Sequence, residues 1–210
     1  MSDTERDLDE QSLSHWVGQT YDGLADLLDG GAATAWGAPT LCAGWQARHV
    51  VAHVTMPARL TPEQFGAEMA AAGGDFGKLS DTVAERDAAL PAAELLAALR
   101  SPALRTWQPP GGGAMGALSH AVIHSLDVTV ATEQPPVAPA EAMRAVLDHV
   151  AAADGALVGL GSVDARLEAT DADWSWGPGG QGSPVRAELG SLVALLAGRR
   201  LLDGRTLRRG

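Results

Sequence analysis

Leu118-Ser119-His120-Ala121-Val122-Ile123-His124-Ser125-Leu126 places two histidines four residues apart inside an apolar run. That spacing puts both imidazoles on one face of an α-helix, about one turn apart. A second apolar run, Val50-Val51-Ala52-His53-Val54, carries a third histidine. If the two runs are helices that face each other, His53, His120 and His124 meet around one divalent cation and leave it an open side. Three neutral imidazoles with an open fourth position describe a catalytic site better than a structural one, because structural zinc normally has four protein ligands.

Working outward, Leu13, Trp16, Val17, Tyr21, Leu24, Leu27 and Leu28 recur at helical spacing, and Gly30-Gly31 closes that segment. Residues 32–45 are rich in Gly and Pro and read as a loop, followed by a helix from Gln46 to about Pro57 that carries His53. Thr61-Pro62-Glu63-Gln64 has the form of a capping box with Pro at the first helical position, so a third helix starts there. Shorter helical pieces are expected near 78–90 and 92–100. Pro109-Pro110-Gly111-Gly112-Gly113 then breaks the chain before a helix from about Met115 to Ala131, and another helix runs from about Ala140 to Ala153.

Beyond Gly155 the texture changes. Ala165–Ala169, Trp174–Trp176 and Pro184–Glu188 read as short strands, residues 177–182 as a turn, and residues 187–201 as a final helix. The expected fold is mainly α: a polar tail over 1–12, a helical bundle over 13–155 and a small α+β domain over 156–210.

With 210 residues and 46% hydrophobic content the chain can bury a full core. A net charge of −11 with dispersed basic residues argues against nucleic acid as a partner. The one local basic cluster, Arg199, Arg200, Arg205, Arg208 and Arg209, reads as a solvated tail. A single cysteine, Cys42, rules out an internal disulfide and fits a reducing compartment. The polar, acidic first 12 residues are no secretory signal, and no apolar stretch approaches the ~18 residues of a membrane span, so the cytoplasm is the expected location.

The stretch from Pro39-Thr40-Leu41-Cys42-Ala43-Gly44-Trp45 to His53, followed by His120-Ala121-Val122-Ile123-His124-Ser125-Leu126-Asp127, resembles the mycothiol-dependent maleylpyruvate isomerase family of the DinB-like superfamily. The resemblance covers the chain from about Leu13 to Arg200. It implies a DinB-like four-helix bundle followed by a small C-terminal domain, with a divalent metal, zinc by expectation, and mycothiol as the thiol. His53 matches the family's first metal ligand and His124 its last. His120 stands where many members have a glutamate, so the three-histidine set leaves the cation its full charge and strengthens its acidifying effect on a bound thiol. A thiol held as a metal-bound thiolate would attack an electrophilic small molecule, giving cis-trans isomerisation or thiol transfer.

Asp127, three residues beyond His124, is a candidate catalytic group as the acceptor for that imidazole. Arg59, just past the second helix, is a candidate catalytic and cofactor-binding residue for an anionic group at the site mouth, and Trp45, with Trp16, for the pocket wall. His49 is a possible alternative ligand expected on the exposed side. Cys42 has no base beside it in sequence and reads as packing, the Gly111–Gly113 run as a hinge or lid, and Trp174 and Trp176 as packing of the small sheet. Two further readings stay open: a metal-activated water acting as hydrolase, or a non-catalytic metal-binding or regulatory protein. The absence of a neighbouring carboxylate base in the sequence weighs against hydrolysis. A monomer or a dimer fits equally.

Overall fold

The computed structural model describes residues 10–153, 165–177 and 183–207. Helix α1 spans Glu10–Gly30 and buries Leu13, Val17, Tyr21, Leu24 and Leu28, a stripe at the 3.6-residue period the sequence predicts. The following Gly/Pro-rich connection holds one 3₁₀ turn, Ala33–Gly37, and a single antiparallel bridge between Pro39 and Gln46.

The expected helix from Gln46 to Pro57 is in fact two: α2, Ala47–Val54, and the short α3, Met56–Arg59. The break at Thr55 has a local cause. Pro57 has no N–H to continue the ladder, and the Thr55 hydroxyl donates back to Val51 O at 2.6 Å. Thr61 then caps α4, Pro62–Ala71, with the reciprocal pair its sequence predicts: Gln64 N donates to Thr61 Oγ1 at 3.2 Å, and Thr61 N to Gln64 Oε1 at 2.8 Å. Helices α5, Phe76–Asp87, and α6, Ala92–Leu99, begin close to their expected positions, and α7, Pro102–Thr106, is a single turn too short to show a periodic pattern. Helix α8, Gly113–Thr129, and helix α9, Ala140–Ala152, complete this part.

Helix α1 lies along α8, α2 packs on α5, and α2 also meets α8, which makes the four-helix bundle. Strands β1, Leu167–Ala169, β2, Ser175–Trp176, and β3, Val185–Ala187, form a sheet of order β2-β1-β3, antiparallel on one side of β1 and parallel on the other. Helix α10, Leu189–Leu196, packs on α9 and α8. No described helix is long and apolar enough to cross a membrane.

Leu167, Trp174, Ala187 and Leu192 belong to the same buried cluster as Leu24, Val51 and Leu118, so among the described residues the core runs unbroken from the bundle into the C-terminal part. The expected boundary at 155/156, most of the 1–12 tail, residues 178–182 of the expected turn, and Arg208 and Arg209 lie outside the described residues. Trp174 is buried and its Nε1 donates to Asp148 Oδ1 at 2.7 Å, which ties the sheet to α9.

Helix α10 is shorter than the expected 187–201. Gly198, at φ 78°, ends it in the left-handed conformation, with Gly198 N bonded to Leu195 O and Arg199 N to Ala194 O. This turn takes Arg199 off the helix axis, with consequences for the site.

Candidate metal centre

Helices α2 and α8 present His53, His120 and His124 to one another. The ring centroids are 4.7 to 5.0 Å apart, and His53 Nε2 and His120 Nε2 are separated by 3.0 Å. One nitrogen from each of the three rings lies within 4.8 Å of the other two.

The opposite nitrogen of every ring is engaged by the protein. Ser80 Oγ on α5 is 2.8 Å from His53 Nδ1, Tyr21 Oη on α1 is 3.2 Å from His120 Nδ1, and Asp127 Oδ2 is 2.9 Å from His124 Nδ1. Partners of this kind fix ring orientation and favour the tautomer whose Nε2 lone pair is free for a metal. Burial, reinforced by the nearby His124, pushes the His53 pKa down to about 3. Burial likewise holds His120 well below the ordinary histidine value. Both rings are therefore neutral near pH 7, as ligation requires. Neutral nitrogens from two helices, each oriented from behind, fit a divalent cation.

Behind His124 lies a buried node. Asp127 has no solvent exposure and accepts from Arg199 through both oxygens, at 2.7 and 3.0 Å, from His124, and from Cys42 Sγ at 3.0 Å. Burial alone would raise its pKa, but hydrogen bonds from His124 and Arg199 hold it below the usual carboxylate range. Burial and the Asp127 charge raise the Cys42 pKa, so this cysteine remains a thiol, not a ready nucleophile.

The model for the mycothiol maleylpyruvate isomerase N-terminal domain family matches residues 17–129, which include all three histidines. The chain belongs to this family. A crystal structure of the mycothiol-dependent maleylpyruvate isomerase is similar over 100% of this chain and 99% of that one, with a TM-score of 0.57 and 15% sequence identity, a likeness of fold. No curated protein matches the chain.

Arg199 lies outside the segment matched to the family. The sequence reading assigned it to a solvated tail, and the structure corrects this: its guanidinium is tied to Asp127 inside the molecule. Residues around it in sequence are basic, so nothing local distinguishes the one that turns inward. Asp127 stands where the sequence reading expects it, as the acceptor behind His124, and both its oxygens are engaged by protein partners.

Arg59 is not at the site mouth. It bonds Asp87, Thr55 Oγ1 at 3.1 Å and Ala52 O at 2.5 Å, joining α2, α3 and α5, and has no donor directed at the imidazoles. His49 caps α2 by accepting from Gln46 N at 3.1 Å and pairs with Glu85, away from the three rings. Trp45 does stand beside the site, 5.3 Å from His53 centroid to centroid, whereas Trp16 packs against the bundle core. Three residues that the sequence reading missed complete the surroundings: Tyr21, Ser80 and Trp107, the last 5.3 Å from His120. Tyr21 alone left a signal, since a tyrosine in a buried stripe needs a partner for its hydroxyl.

The Arg59 tie has a pH signature. Asp87 is buried, and although burial raises its pKa, hydrogen bonds from Arg86 and Arg59 prevail and hold it below its ordinary 3.8. A depressed carboxyl stabilises the fold fully above its unfolded pKa and loses that contribution as pH falls through the folded value. Asp87→Asn is therefore expected to be less stable than wild type at pH 6, with the gap closing below pH 3.8. Urea unfolding across pH 2.5–7 checks this, and a pH-independent gap would count against it.

Proposed function

We propose that this chain is a metal-dependent enzyme that uses a low-molecular-weight thiol, mycothiol, to act on an electrophilic small molecule by isomerisation or thiol transfer. The observation that carries the reading is the convergence of His53, His120 and His124, with their far nitrogens held by Ser80, Tyr21 and Asp127, in a chain of this family. Those three residues would hold the cation, zinc being the expected one although imidazole also suits nickel, iron and copper. When bound, a divalent cation there lowers the pKa of a coordinating thiol enough to make it a thiolate at neutral pH.

The remaining work belongs to the chain. Burial keeps His53 and His120 neutral so that their lone pairs stay available. Asp127, with Arg199 compensating its charge, orients His124. Trp45, Trp107 and Phe76 surround the rings and keep bulk water from a nucleophile held between them. A hydrolase would in addition need a carboxylate free to take a proton from water. Asp127, the carboxylate bonded to the His124 ring, has both oxygens engaged, which favours thiol chemistry.

The test is a cobalt-substituted sample titrated with mycothiol. Sulfur entering the coordination sphere produces a charge-transfer band, which is the expected result. A spectrum unchanged by thiol would remove the thiol from the proposal.

A further inference from the structure

Beside His53 and His120 lies a cavity of about 500 Å³. It is lined by Met56, Leu60, Phe65, Phe76, Trp107 and four prolines, and the lining residues with polar side-chain groups besides the imidazoles, Thr61, Gln108 and Trp107, are all uncharged. No lysine, arginine or acidic residue lines it among the described residues.

A carboxylate placed in such a cavity would lose its hydration without a compensating charge. Three arginines of the surrounding elements are already engaged. Arg59 is held by Asp87, Thr55 and Ala52; Arg86 by Glu68 and Asp87; Arg199 by Asp127. The start of α4, which borders the cavity at Thr61 and Pro62, offers little to an anion either. Gln64 N is taken by Thr61 Oγ1, Thr61 N by Gln64 Oε1, and Pro62 has no N–H. Glu63 adds a negative charge next to them.

We infer that the cavity selects an uncharged, largely apolar electrophile, aromatic or alicyclic in bulk, whose polar atoms are carbonyl-like acceptors, over a dicarboxylate. The inference rests on the proposed function in taking this cavity as the substrate's place. A substrate with maleyl and pyruvate halves carries two carboxylates. A cation on the three histidines could neutralise one of them, and the described lining of the cavity holds no charged side chain for the second. Aromatic faces at Phe65, Phe76 and Trp107 instead suit a flat carbon skeleton.

The test compares isosteres that differ in charge. Cinnamamide and cinnamate are titrated calorimetrically, without thiol, into protein stripped of metal by chelation and checked for retained helicity, so that no cation can ligate the carboxylate. Cinnamamide is expected to bind at least about tenfold more tightly. In the protein as purified, maleate is expected not to displace cinnamamide. Leu60→Arg, which sets a cation in the wall, should bring cinnamate to within about threefold of the amide; where that variant does not fold, the wild-type comparisons decide. Equal or tighter binding of cinnamate to the stripped protein, displacement by maleate, or no binding of cinnamamide would each overturn the inference. Because no thiol is present, these results are independent of the cobalt titration: a missing sulfur band removes the thiol and leaves the charge preference standing.

Discussion

Alanine at His53, His120 or His124 is expected to strip the protein of stoichiometric metal while leaving it folded. Two imidazoles without the third give a cation too few protein donors to compete with water and buffer. The cost to the fold is limited. His53 is 5% exposed and its removal leaves Ser80 Oγ without its partner, a loss of about 1–3 kcal/mol for a buried polar group, against a domain stability of about 5–15 kcal/mol. His49→Ala is the matched control: it removes a cap on α2 and a solvent-side pair with Glu85, and should keep metal at wild-type level. Metal analysis of each purified variant beside its circular dichroism spectrum checks the prediction. A variant that still carries one metal per chain removes that histidine from the centre.

A second large effect is expected at Asp127. Replacing it by Ala leaves the half-buried Arg199 guanidinium with no counter-charge and strips His124 Nδ1 and the Cys42 thiol of their acceptor at the same time. Breaking a fully buried pair from one side costs about 3–5 kcal/mol, and the partial exposure of Arg199 sets the expected loss below that range; losing the group that orients a ligand lowers metal affinity by about 10–100-fold. The double variant Asp127→Ala with Arg199→Met should recover part of the stability, since the stranded charge is gone, but not the metal affinity, since His124 remains unsupported. Urea unfolding and competitive metal titration separate the two losses. If the double variant regains metal affinity as well, the carboxylate is not what orients His124.

Much of this was legible in the residues because it is local. The stripe Leu13, Val17, Tyr21, Leu24 and Leu28, the Thr61/Gln64 box and the four-residue spacing of His120 and His124 are each written within one or two turns of helix. His53 joins them through the pairing of two apolar runs, which the pattern suggests and the family resemblance supports. Arg59 was misread for a corresponding reason. An arginine just past a helix looks free in sequence, and only the packing of α5 brings Asp87 to claim it.

The chain's own text determined where the longer helices lie, the apolar stripe of α1 and the shared helix face of His120 and His124, since those properties follow from side-chain period and from residue type. What the tertiary structure alone decided is who stands behind His53 and His120, which cation holds Asp127, and what the cavity beside them is made of. Ser80, Tyr21 and Arg199 come from α5, α1 and the turn after α10, and sequence distance carries no trace of their meeting. Among the described residues, an apolar wall without lysine or arginine is likewise a property of how Phe65, Phe76 and Trp107 assemble while Arg59 and Arg199 find carboxylates elsewhere, and that is settled only when the elements pack.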